Sequence, residues 1–63
     1  AMTRNEWIER YVVAMLAGGS EYPEWHLRSR AEQDCDTTEE TGCTDPDDWE
    51  EPETIAEEHL ESE

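Results

Sequence analysis

The chain has 63 residues, nineteen of them Asp or Glu and four Arg, with no Lys and no Phe, for a net charge of −15 at pH 7. A chain this short builds one small domain and buries only about 60% of its unfolded surface, which excludes a large enclosed active site. No window approaches the ~20 apolar residues of a membrane span and no stretch reads as a signal peptide, so the expectation is a cytoplasmic protein whose charge disfavours direct contact with nucleic acid or membrane.

The charge is unevenly placed. Residues 1–30 carry all four Arg (Arg4, Arg10, Arg28, Arg30) and four acids, and are neutral; residues 31–63 carry the other fifteen acids and no base. The large apolar residues divide in the same way, with Trp49, Ile55 and Leu60 alone in the acidic half. The expected organisation is a neutral amphipathic helical half over 2–32 and an acidic half over 33–63. Ala1, ahead of Met2, reads as an expression remnant.

In chain order, Thr3-Arg4-Asn5-Glu6 fits a capping box and starts a helix over about 4–17. At 100° per residue, Trp7, Ile8, Tyr11, Val12, Met15 and Leu16 share one face, and Gly18-Gly19 stops the helix. Pro23 suits a first helical turn, so a second helix over about 23–32 completes a hairpin. The alternation in Trp25-His26-Leu27-Arg28-Ser29 is a strand pattern, but a lone short strand has no partner elsewhere in the chain.

The second half lacks the apolar content for a core of its own, and low hydrophobicity with high charge is the composition of disorder. The expectation is a draped or partly disordered segment with short helical turns. Thr44-Asp45-Pro46-Asp47 starts one turn, and Pro52–Leu60 forms a last helix whose Ile55, Ala56, His59 and Leu60 dock with Trp49 on the first helix. The fold class is mainly α.

Cys35 and Cys43 allow a disulfide worth ~2–3 kcal/mol, two free thiols, or, with His26 and His59, a zinc set of right composition and unusual spacing. No third group completes a Cys–His nucleophile. Asp34-Cys35-Asp36 opens like a calcium loop, but Glu39 stands where that loop needs Gly and Asp45 where it needs Glu. The expectation is no enzyme, no cofactor and no metal; a calcium- or zinc-responsive module is the alternative.

Any single carboxylate reads as solvated surface, but fifteen acids in one half repel one another more than solubility requires. In size, and in Glu32-Gln33-Asp34-Cys35-Asp36, Glu39-Glu40 and Asp45-Pro46-Asp47-Asp48-Trp49-Glu50-Glu51, the chain resembles the small acidic proteins of phages and mobile elements that mimic nucleic acid. Those proteins inhibit restriction enzymes, CRISPR complexes or DNA-binding proteins, and their folds are unrelated to one another. The resemblance implies a basic, nucleic-acid-binding protein as partner. The contact residues expected are Asp36, Glu39, Glu40, Asp45, Asp47, Asp48, Trp49, Glu50 and Glu51, with Ile55 and Leu60 as further apolar anchors. A third use of the chain is as an adaptor or homodimer through the apolar face of residues 7–16, with a solubilising acidic tail.

Overall fold

The structure is a computed structural model that describes residues 1–63. Three helices, α1 (Arg4–Ala17), α2 (Glu24–Glu40) and α3 (Pro52–Glu61), are joined by a turn and by a segment containing one short 3-10 turn, Pro46–Asp48. The protein is small and mainly α, and no helix is long and apolar enough to cross a membrane.

The start of α1 follows from its first residues. The Thr3 hydroxyl accepts the Glu6 amide hydrogen at 3.2 Å, satisfying one of the amides that a helix start leaves open. Of the expected capping box only this half forms, because the exposed Glu6 carboxylate stays in solvent. At the other end Ser20 N donates to Met15 O at 3.0 Å and Gly19 N to Leu16 O at 3.2 Å, the paired bonds of a Schellman stop. Gly19 has φ +83°, a left-handed conformation that costs a residue with a Cβ about 1–2 kcal/mol.

α2 is longer than the expected 23–32 and runs to Glu40, because no Pro or Gly intervenes until Gly42, whose φ of +99° turns the chain away from the helix axis. The apolar stripe also continues at helical spacing: Leu27, Ala31 and Cys35 are all buried. The small Ala and the thiol seal the α1 interface where larger residues are missing, so a segment with the composition of a disordered tail is held as helix. The strand pattern at 25–29 yields to the same tertiary packing.

α1 is the element against which both other helices pack. Trp7, Ile8, Tyr11, Val12 and Met15 are buried on it, α2 contributes its stripe, and α3 contributes Ala56 together with the buried Pro52. Trp49, Ile55 and Leu60 lie partly buried against this cluster, as does Met2. Most of the 7–16 face expected to serve a second copy is thus covered within the chain, leaving Val13 and Leu16 exposed. Gly18 permits the close approach of α3, since a Cβ there would collide with Leu60 Cδ1.

Leu27→Ala empties a fully buried site and is expected to lower the unfolding free energy by about 2–5 kcal/mol, while Val13→Ala on the exposed side changes it by less than about 0.5 kcal/mol. Urea unfolding followed by Trp fluorescence measures both; similar losses at the two positions would contradict this core.

Candidate protein-interaction surface

The acidic segment between α2 and α3 is held in shape by one indole and tied to the body by another. Trp49 Nε1 donates to Cys43 O at 2.7 Å, closing the loop on itself, and Trp7 Nε1 donates to Glu50 O at 3.0 Å, fastening it to α1. The two rings meet edge to face, with centroids 6.1 Å apart and planes at 80°. Within the loop Asp45 Oδ1 accepts from Asp47 N at 3.1 Å to start the 3-10 turn, and Asp47 Oδ1 accepts from Met2 N at 2.7 Å.

Arg4 and Arg10 join the neutral and acidic halves, and Arg28 makes its ion pairs within the neutral half. Arg4 at the start of α1 reaches the end of α2, pairing with Asp36 at 2.8 Å and with Glu39. Arg10 forks onto Glu53, with Nε to Oε2 at 2.9 Å and Nη2 to Oε1 at 2.5 Å, and also holds Glu51 at 2.9 Å. Arg28 on α2 pairs with Glu9 of α1 and stands 3.9 Å from Glu24. The Arg10 fork holds the Glu53 carboxyl below its usual range, and Arg28 does the same for Glu9. Arg30 forms no ion pair.

Six of the nineteen acids are therefore engaged by arginine, and thirteen have no basic partner. Among the contact residues expected from sequence, Asp36, Glu39 and Glu51 belong to the engaged group. Trp49 is half-buried as a wedge against Trp7, and Ile55 and Leu60 face the core, so these apolar side chains serve the fold. Asp45, Asp47, Asp48 and Glu50 remain exposed and without a basic partner around the 3-10 turn, and Glu40 does so at the end of α2. Sequence reasoning passed over Glu57, Glu58 and Glu61, all exposed on the outer side of α3. Counting around that helix from its buried stripe of Pro52 and Ala56 would have placed them there. On α2, Glu32, Asp36 and Glu40 line the outward side at four-residue steps, about 6 Å apart along the axis.

The remaining chemistry-bearing groups are dispersed or closed. Cys35 and Cys43 are free thiols, the first buried and the second exposed. Burial pushes the Cys35 thiol up to about 11, leaving almost no thiolate at neutral pH. His59 Nδ1 and the Tyr11 hydroxyl lie 2.7 Å apart, and burial raises the phenol above its usual range. No group of three or more His, Cys, Asp or Glu side chains converges as metal ligands, so the His26, Cys35, Cys43 and His59 set does not come together.

The Arg10–Glu53 pair has a definite pH signature. The carboxyl is lower in the folded chain than in the unfolded one, so its stabilisation is full above the unfolded value of about 4.3 and is lost as pH falls through the folded value. Arg10→Gln is expected to lower stability measurably at pH 7 and to have almost no effect at pH 2, where Glu53 is protonated. Chemical unfolding at the two pH values checks this; an equal cost at both would assign Arg10 a packing role alone.

Searches against protein-family models, curated proteins and solved structures returned no match to this chain.

Proposed function

We propose that the chain is a non-enzymatic inhibitor that occupies a basic, nucleic-acid-binding surface of a partner protein in place of the nucleic acid. The observation that carries this reading is a density. The molecule measures 31 × 20 × 19 Å and has a net charge of −15, which is one negative charge per about 2 Å of its long axis. Duplex DNA carries one per ~1.7 Å. A cleft built to neutralise a phosphate backbone meets a similar charge per unit length here.

Two further features support it. The acids sit on helices and on a loop fastened by indole and arginine contacts, so little backbone freedom remains to be lost on binding. The thirteen acids without a basic partner face one unpaired arginine, so the surface potential is strongly negative and steers approach to a basic patch. Asp45, Asp47, Asp48 and Glu50, with Glu40 and the outer acids of α3, are the contacts of choice. Charge-assisted hydrogen bonds from Arg and Lys then supply specificity.

Immobilised chain exposed to an extract of its own cell is expected to retain basic nucleic-acid-binding protein that elutes well below about 1 M salt, where the Debye length is ~3 Å. The Asp45→Asn, Asp47→Asn, Asp48→Asn, Glu50→Gln variant is expected to weaken retention at least tenfold. Full retention at about 1 M salt, or undiminished binding by the neutralised variant, would overturn the proposal.

A further inference from the structure

Between α2 and α3 lies a groove of about 220 Å³, with Trp7 of α1 and Trp49 of the acidic loop among its walls. It is smaller than the roughly 300–1,000 Å³ of pockets that take drug-sized ligands, and its scale is that of one side chain. Asp34 and Glu50 contribute carboxylates to the lining, Ile55 an apolar surface and His59 an imidazole; no Arg lies among the lining residues.

Asp34 is the unusual member. Its Oδ2 is sealed from solvent and has no hydrogen-bond partner. Buried polar groups are almost always paired, and an unmet acceptor is costly, more so when it carries charge. None of the three paired arginines reaches it, since they are committed to Asp36 and Glu39, to Glu51 and Glu53, and to Glu9 and Glu24. Asp34 is among the residues that line the groove, so its carboxylate group borders the space a ligand would enter.

The geometry points to this groove as the seat of one arginine side chain from the partner. The inference rests on the reading of the chain as a binder of basic protein surfaces, and it adds the place and residue type of the anchor. A guanidinium suits the lining better than an ammonium. It can stack on the partly exposed indole of Trp49, its planar fork offers five N–H donors to Asp34 and Glu50, and it is less strongly hydrated on entering a half-closed slot. Its propyl stem lies against Ile55. Both indoles are already oriented, Trp7 by Glu50 O and Trp49 by Cys43 O, so the walls stand ready before the ligand arrives.

The test is a titration of ¹⁵N-labelled full chain with N-acetyl-arginine methylamide at constant ionic strength, read at the three indole Nε1–H resonances. The Trp7 and Trp49 signals are expected to shift saturably, while that of the exposed Trp25, outside the groove, stays in place. The lysine analogue is expected to bind at least fivefold more weakly. Asp34→Asn and Glu50→Gln, each verified as folded by its spectrum, are expected to weaken the arginine analogue at least tenfold and threefold. Equal shifts of all three indoles, or unchanged affinity in folded Asp34→Asn, would overturn the assignment. If salt-sensitive retention of basic protein persists while arginine leaves both groove indoles unmoved, the groove assignment fails and the surface reading stands. Saturable arginine binding without retention of any basic protein would instead uphold the groove and overturn the surface reading.

Discussion

The apolar stripe of α1 governs the whole molecule. It is the element that both other helices pack on, and its Trp7, Ile8, Tyr11, Val12 and Met15 provide more than half of the nine-residue buried cluster. The acidic half cannot assemble a core, so it shares this one. α2 supplies small residues, Ala31 and Cys35, that let its backbone approach, and α3 does the same with Ala56. Seventeen of the nineteen acids then lie exposed outside the shared core.

That arrangement sets attraction against repulsion in one small body. Fifteen excess charges oppose compaction, and two arginines hold the acidic half against α1, Arg4 at the α2 terminus and Arg10 at the entry to α3, while Arg28 closes the α1–α2 seam within the neutral half. Exposed ion pairs are weak individually, and the work of these is mainly positional. They pair six acids and leave thirteen without a basic partner, all but Asp34 exposed. The result is a scaffold whose free charge faces outward in a fixed pattern, which distinguishes it from a flexible acidic tail that must be ordered on binding.

The sequence made α1 legible because several signals agree there: a Thr cap, a 3.6-residue apolar period and a double glycine. α3 was legible from the stripe of Ile55, Ala56, His59 and Leu60. The length of α2 was not, because Ala31 and Cys35 carry little hydrophobic signal and their burial is a property of the packed α1 surface. The acidic surface was legible as a total and only partly as a pattern. Asp36, Glu39 and Glu51 cannot be separated from Asp45, Asp47 and Asp48 without knowing which side chains the fold brings to Arg4 and Arg10. Trp49 follows the same logic, reading as an anchor in a charged stretch and becoming a wedge against Trp7. The groove beside it joins three separate stretches of chain and leaves no trace in any one of them.

If a folded protein surface replaces nucleic acid on a basic partner, the two must compete for one place. A purified basic protein retained by the chain is bound to a fluorescent duplex at a concentration well above its dissociation constant, the chain is titrated in, and anisotropy is recorded. Substitution for nucleic acid predicts full displacement of the duplex near one chain per binding site, with the competition weakening as salt is raised. A ternary complex that keeps its anisotropy while the chain is bound would place the chain elsewhere on its partner and contradict the proposed mimicry.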